Sequence, residues 1–232
     1  MFWAAEIFID GNDFYLSYSA SPDYVMQNHR IGIAKSSSIY GPYIYMKNEP
    51  TFDLGVETID QHLFKHDGIV YMLYTNHHEI DAIYMVPLNE TMTGTAGAHV
   101  KLFERMDGET VCEAPWMWIR DGRYYILYSA NGGNTVDYRV GYYYAPTLKG
   151  PYSFGGYILS KSRDLLGSEV WGPGHCSVVQ SPSGSDHFIV YQSKKNSDVN
   201  WERYVSIDRI SCLSATLLRV RGPSTTYQPI PA

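Results

Sequence analysis

The sequence predicts an all-β protein of the β-propeller class, and the main reason is a long repeat. One pattern recurs four times: an apolar strand, a turn that contains Gly, and a Tyr-rich strand. The tyrosines that close these units are Tyr18, Tyr74, Tyr128 and Tyr191, which lie 56, 54 and 63 residues apart. A period above fifty residues with several strands per unit is typical of propeller blades. An all-β sandwich would give turn signals but no reason for so long a repeat.

The turns support hairpins at the start of each unit. Asp10-Gly11, Asp67-Gly68 and Asp121-Gly122 each separate two alternating apolar runs, which is a strong signal for a β-hairpin. Residues 175–191 form a looser copy of the unit. A second echo relates residues 31–43 to 140–152, because both read as a strand followed by Gly-Pro-Tyr. No helical period of useful length is present, so helical bundles and βαβ folds are not expected.

Length and charge narrow the possible functions. A chain of 232 residues is long enough for one large all-β domain, which we place at residues 1–232. The net charge of −6, without a basic stripe, argues against a nucleic-acid partner. No apolar run approaches the roughly 18 residues of a membrane helix. The three cysteines are odd in number and widely spaced, which argues against a disulfide framework and a zinc cluster.

Each unit opens with a polar residue just before an apolar strand. These residues are Glu6, Asp60, Glu113 and His175. The first strand of each propeller blade lines the central channel, so four equivalent positions are expected to converge on one axis. Burying a carboxylate costs free energy unless the group is paired or has a catalytic role. Glycoside hydrolysis needs one protonated carboxylic acid together with one ionised carboxylate as base. Turn capping at strand starts is the alternative, but four polar residues in one register favour the functional interpretation.

Six short motifs follow one another along the chain and together are specific. They are Trp3-Ala-Ala-Glu6, Glu57-Thr-Ile-Asp60, Val111-Cys-Glu113-Ala-Pro115, Tyr128-Ser-Ala-Asn131, Gly172-Pro-Gly-His175 and the tail at 222–229. In this order and spacing the set resembles glycoside hydrolase family 43. Members of that family are five-bladed propellers that remove arabinose or xylose from plant polysaccharides. Four blade units of that five-bladed type are visible in this sequence.

The resemblance implies a role for each polar residue at a unit start. Glu113 matches the general acid that protonates the leaving oxygen. Asp60 matches the third carboxylate, which orients the acid and raises its pKa by like-charge repulsion. Glu6 matches an acid of the second blade, nearer to structure than to chemistry, and we place it among the substrate-binding residues. His175 matches a central-channel histidine that in many members lies by a calcium ion or water; no other cofactor is expected.

Three further residues complete the predicted binding site. Arg203 matches the arginine of the last blade that reaches toward Asp60 or the sugar, with a surface strand charge as the alternative. Trp3 and Trp116 are candidate platforms for a sugar ring, with core packing as the alternative. The remaining histidines show no metal-ligand spacing. The pair at positions 77 and 78 follows a strand end, where a loop near a cleft could bind sugar, but surface loop residues are the favoured interpretation.

The resemblance also predicts that the chain begins after the segment that carries the catalytic base. In the family that base is an Asp ahead of the motif that here starts at Trp3, and no residue of this sequence matches it. Asp10 and Asp13 fall in the hairpin turn instead. Unpaired strand edges invite pairing with another chain. We therefore expect an N-terminally incomplete ring that self-associates and hydrolyses little by itself. A ring closed by four blades and a gap filled by a neighbouring chain are the alternatives.

The expected activity is inverting hydrolysis of oligosaccharides or polysaccharides that contain arabinose or xylose. The family pattern indicates an α-L-arabinofuranosidase or a β-xylosidase. A non-catalytic carbohydrate-binding propeller is the alternative, because it would keep the acids and aromatics without the base. An interaction propeller of the WD or kelch type is disfavoured, since neither signature recurs. Residues 1–6 lack the features of a signal peptide, while the family resemblance favours secretion, so the compartment stays open.

Overall fold

The computed structural model describes residues 1–22, 28–78 and 80–227, and its regular elements there are β-strands. The strands are β1 (Phe2–Asp10), β2 (Asp13–Ala20), β3 (Arg30–Ser36), β4 (Ile44–Tyr45), β5 (Thr58–His66), β6 (Ile69–Asn76), β7 (Ala82–Pro87), β8 (Val100–Glu104), β9 (Cys112–Arg120), β10 (Arg123–Ala130), β11 (Arg139–Ala145), β12 (Ser153–Leu159), β13 (Ser162–Arg163), β14 (Glu169–Gln180), β15 (His187–Lys194), β16 (Arg203–Ser214) and β17 (Leu217–Val220). None of these described residues belongs to a helix that could span a membrane. Gln228 and Pro229 of the predicted tail motif lie outside the described residues.

Neighbouring strands along the chain pair antiparallel and form four sheets. The chain divides into two compact units. Unit 1 comprises residues 1–104 with 113–115, and it contains the sheets β1-β2-β3-β4 and β5-β6-β7-β8. Unit 2 comprises residues 105–112 with 116–232, and it contains the sheets β12-β11-β10-β9 and β13-β14-β15-β16-β17. Each of the four sequence repeats therefore supplies one hairpin of its own sheet, as the period predicts, and we call the strands that open these hairpins, β1, β5, β9 and β14, the first strands of the blades.

Two of the three Asp-Gly dipeptides form the predicted hairpin turns, whereas Asp10 pairs with Asp13 in the ladder and leaves Gly11 and Asn12 as the turn between β1 and β2. Asp67 and Gly68 both have positive φ values, 48° and 80°, between β5 and β6. Asp121 and Gly122 repeat this at 51° and 70° between β9 and β10. Positive φ at both central residues is the geometry whose twist matches antiparallel strands, and Asp-Gly adopts it at little cost.

The recurring tyrosine packs over a glycine of the second repeated pattern, the one shared by residues 31–43 and 140–152. Tyr18 lies opposite Gly32 in the β2–β3 ladder, and Tyr128 lies opposite Gly141 in the β10–β11 ladder. A Cβ on Gly32 would come within 2.2 Å of the Tyr18 ring, and one on Gly141 within 2.7 Å of the Tyr128 ring. The glycine therefore leaves space for the tyrosine ring to lie over the neighbouring strand.

Each unit buries its own hydrophobic core between its sheets. In unit 1 the core includes Ile31, Ile33 and Met72, which are almost fully buried. In unit 2 it includes Leu127 and Ile189. These packed sheets hold the first strand of each blade in place, and the polar residues of interest lie on those first strands.

Candidate functional site

The first strand of each blade contains one residue other than glycine with left-handed backbone. These residues are Ala4 (φ 50°) in β1, Asp60 (φ 57°) in β5, Ala114 (φ 54°) in β9 and His175 (φ 46°) in β14. In β1, β5 and β14 the pairing with the next strand shifts register at this residue, as at a β-bulge. A bulge redirects the side chains around it, and bulges are common beside active sites.

The four polar residues lie at different positions relative to the left-handed residue of their strand, which differs from the predicted register. Asp60 and His175 occupy the left-handed position itself. Glu113 comes one residue before it, and Glu6 comes two residues after it. The expectation that these four side chains occupy equivalent positions is therefore wrong, because the spacing between the polar residue and the left-handed residue differs among the four strands.

In two blades the backbone N–H of the left-handed residue donates to a serine hydroxyl. The Asp60 amide donates to Ser19 Oγ at 3.1 Å, within unit 1. The His175 amide donates to Ser129 Oγ at 2.8 Å, within unit 2. Each serine directly follows the repeated tyrosine of its blade. The serine after that tyrosine thus accepts a hydrogen bond from a buried main-chain N–H that would otherwise have no partner.

The amide of Ala114 has a different acceptor, the carboxylate of Asp60. Its N–H donates to Asp60 Oδ2 at 3.1 Å. Thr75 follows the repeated tyrosine of its blade, but its buried hydroxyl has no hydrogen-bond partner in the described part of the chain. Asp60, which is 6% exposed, therefore takes the place that a hydroxyl fills in the other blades.

Because Asp60 is the acceptor here, its carboxylate is held against the main chain next to Glu113. Ala114 directly follows Glu113, so the hydrogen bond fixes the main chain from which the Glu113 side chain projects. The Glu113 side chain is half-buried, with 20% of its surface exposed. A carboxylic acid in such a place is accessible to a substrate and yet shielded from much of the solvent.

His77 and Asp81 join this group. His77 Nε2 lies 4.0 Å from Glu113 Oε2, and His77 Nδ1 lies 2.8 Å from Asp81 Oδ1. Burial by itself lowers the pKa of His77, but the hydrogen bond and charge of Asp81, with the charges of Glu113 and Asp60, raise that pKa above its ordinary value. The interpretation of His77 as a surface loop residue is therefore wrong, whereas His78 is exposed as expected.

Glu6 makes a side-chain hydrogen bond within the same unit. Its Oε1 lies 2.8 Å from Nδ1 of His62, whose side chain is 6% exposed. The His62 ring stacks on Phe64 with centroids 5.9 Å apart. Glu6 thus has a structural partner, as its placement nearer to structure than to chemistry implies, and a role in substrate binding stays a prediction.

The predicted aromatic platforms differ in their surroundings. Trp3 is half-buried in β1, opposite Ser19. Trp116 is half-buried in β9 and packs against the core of unit 2, which supports the core-packing alternative for this residue. The sugar-platform role of both side chains stays a prediction.

Arg203 lies exposed at the start of β16 in unit 2. Its guanidinium donates to Gln192 Oε1 and lies 5.2 Å from the ring centroid of Trp201. Sequence reasoning did not single out Trp201 or Gln192. Trp201 lies two residues before β16 begins at Arg203, so strand alternation gave no signal for this contact.

His175 is exposed, and its backbone rather than its ring makes the hydrogen bond described above. Among the residues that the structure describes, no three His, Cys, Asp or Glu side chains are grouped as a metal site. A calcium ion beside His175 stays a prediction.

Known proteins resemble this chain along most of its length. The sequence model for "Glycosyl hydrolases family 43" matches residues 1–213. Beta-D-galactofuranosidase xynD of Aspergillus niger is 31% identical over 206 residues, which cover 85% of this chain and 56% of that protein. Alpha-L-arabinofuranosidase B of Pyricularia oryzae is 26% identical over 132 residues, which cover 53% of this chain and 26% of that protein. The chain thus spans little more than half the length of the first relative.

A solved structure extends the likeness to the fold. The crystal structure of a thermostable family-43 glycoside hydrolase has a TM-score of 0.88 and 35% sequence identity, covering 100% of this chain and 78% of that one. The predicted fold class, an all-β propeller with four blade units, is confirmed by this likeness and by the four sheets. On the match to its family model and on these relatives, the chain belongs to glycosyl hydrolase family 43.

Proposed function

We propose that this chain carries the general acid of a glycoside hydrolase that cleaves terminal sugars by an inverting acid/base reaction. The observation that carries the proposal is the hydrogen bond from the Ala114 amide to Asp60, which ties the main chain next to Glu113 to a second carboxylate. Glycoside hydrolysis uses two carboxyl groups with different tasks, and their surroundings keep one of them protonated. A half-buried Glu beside a buried Asp has the chemistry required of the acid.

Glu113 is assigned as the general acid. It donates its proton to the oxygen of the leaving group while the bond from that oxygen to the sugar breaks. Asp60 orients Glu113 through the Ala114 amide, and its negative charge makes loss of the Glu113 proton harder. The carboxylate that activates water on the opposite face of the sugar is assigned to no residue of this chain.

The substrates that we propose are oligosaccharides and polysaccharides with terminal arabinose or xylose. The names of the two relatives support a preference within this class, since one is a β-D-galactofuranosidase and the other an α-L-arabinofuranosidase. Both names specify a five-membered sugar ring. We therefore place α-L-arabinofuranosides first, with β-D-galactofuranosides next and β-xylosides as the alternative.

Hydrolysis of aryl glycosides tests the proposal. We expect slow release of the phenol from an aryl α-L-arabinofuranoside with a poor leaving group, whose oxygen must be protonated as it leaves, and a further strong loss of kcat/KM in Glu113→Gln. Glu104→Gln is the matched control, because Glu104 is an exposed glutamate that pairs with Lys101 on the surface. Absence of turnover on arabinofuranoside, galactofuranoside and xyloside alike would overturn the proposal for this chain.

A non-catalytic carbohydrate-binding propeller is the second candidate. The specific observation in its favour is that no residue of the chain is assigned as the base. Binding of arabino- and xylo-oligosaccharides by calorimetry, in a protein that turns over none of the aryl substrates, would support this candidate. Turnover that depends on Glu113 would exclude it.

A further inference from the structure

We propose that Asp81 and His77 form a charge-setting pair for Glu113: Asp81 holds the His77 imidazolium against the acid, and this cation sets the pH range in which Glu113 keeps its proton. The pair is a positioning device and not a catalytic group. Its meaning for catalysis rests on the proposed function, whereas the coupling of His77 to Glu113 does not.

The hairpin between β6 and β7 creates the pair. Asn76 and Ala82 are the last residues that pair in this ladder, and His77 and Asp81 directly follow and precede them. The closing strands therefore bring the two side chains together across the loop, where Nδ1 and Oδ1 meet at 2.8 Å. The His77 amide also donates to Glu57 O at 3.2 Å, which fixes the backbone from which the imidazole projects.

The bond to Asp81 aims the other ring nitrogen at Glu113. With Nδ1 held by Asp81, Nε2 lies 4.0 Å from Glu113 Oε2, which is an ion-pair distance and too long for a hydrogen bond. His77 and Asp81 are both half-buried, at 21% and 17% side-chain exposure. Partial burial weakens screening by water and salt, so a charge at this distance acts strongly.

Among the residues that the structure describes, the charges that act on His77 are those of Asp81, Glu113 and Asp60, and all three are negative. Asp60 repels the charged form of Glu113 and so favours its protonated form, while the His77 cation favours its ionised form. Groups this close titrate as a coupled set, so the proton affinity of Glu113 depends on whether His77 is charged. His77 thereby limits how far the neighbouring carboxylates can raise the pKa of the acid.

Side-chain titration by NMR on the full chain tests the coupling without any need for turnover. We expect the His77 midpoint to move to lower pH in Glu113→Gln, and also in Asp81→Asn, which removes a charge and alters the hydrogen bond. His77→Gln assigns the resonance, and His78→Gln is the matched control, because His78 is the exposed neighbour. Backbone amide spectra establish that each variant is folded.

The reciprocal measurement follows the carboxyl carbon of Glu113, whose midpoint should rise in His77→Gln and stay unchanged in His78→Gln. In an active protein the alkaline limb of kcat/KM should likewise move to higher pH in His77→Gln. A His77 midpoint that is the same in wild type and Glu113→Gln would overturn the inference. Coupling in a chain that hydrolyses nothing would leave the inference standing and remove only the proposed function.

Discussion

Asp60 Oδ2 accepts a hydrogen bond from the backbone N–H of Ala114 at 3.1 Å, and this bond links the two carboxyl residues of the proposed site through the main chain. Ala114 is the residue after Glu113, so the position of one acid depends on the other. The charge of Asp60 and its capacity to accept this bond are separate properties. Substitutions that remove one or both of them can distinguish orientation from electrostatics.

Asp60→Asn and Asp60→Ala should therefore differ in stability. The Asn side chain keeps a carbonyl oxygen for the Ala114 amide, while Ala leaves that buried donor without its partner, which costs about 1–3 kcal/mol. We expect Asp60→Ala to lower the free energy of unfolding in urea by roughly that much relative to Asp60→Asn. Equal unfolding free energies for the two variants would show that the bond contributes nothing. Both variants should lose hydrolytic activity, because both lack the negative charge.

Ser19 and Thr75 provide a matched pair of buried hydroxyls. Ser19 Oγ accepts from the Asp60 amide at 3.1 Å and donates to Gln61 Oε1 at 2.7 Å, whereas the Thr75 hydroxyl has no partner among the described residues. Ser19→Ala should therefore cost about 1–3 kcal/mol in unfolding free energy. Thr75→Val keeps the shape of the side chain and should be neutral or stabilising. A Thr75→Val penalty as large as that of Ser19→Ala would contradict this account of the blade contacts.

His77 should make stability depend on pH in a defined direction. Its pKa is raised in the folded protein, because the bond to Asp81 and the neighbouring carboxylates outweigh the opposing effect of burial. A raised pKa gives stability that is fully present below the unfolded value of about 6.5 and is lost as pH rises through the folded value. His77→Gln should therefore destabilise the protein more at about pH 6 than at about pH 9. Urea unfolding at both pH values measures this, with His78→Gln as the control that should show no such difference.

The features that the sequence predicts well are those set by neighbours along the chain. Asp67-Gly68 and Asp121-Gly122 indicate their hairpins because the turn itself demands positive φ at both residues. The repeated pairing of a tyrosine with a glycine, as in Tyr18 and Gly32, follows from a contact between adjacent strands of one hairpin. Such local rules recur in each blade, so the repeat and the fold class could be predicted.

The register inside the first strands could not be predicted in the same way. Ala4 and Ala114 adopt left-handed backbone although alanine carries no turn signal, and the surrounding sheet imposes that conformation. The pattern of polar residues therefore suggested an equivalence that the bulges remove. The approach of His77 to Glu113 was missed for a related reason, because the end of β6 and the start of β9 are far apart in sequence. The hydrogen bond between His77 and Asp81, four residues apart, was the only part of this arrangement that neighbouring residues could have indicated.

The central claim is that Glu113 gives its proton to the leaving group, and the dependence of the Glu113→Gln effect on that group tests it most directly. The measurement is the ratio of wild-type to Glu113→Gln kcat/KM on two substrates: an arabino-oligosaccharide, and an aryl arabinofuranoside whose phenol leaves readily without a proton. General acid catalysis contributes about 10²–10⁴-fold. The account predicts a loss of roughly that size on the oligosaccharide and a much smaller loss on the aryl substrate. Equal losses on both substrates would contradict the assignment of Glu113 as the acid.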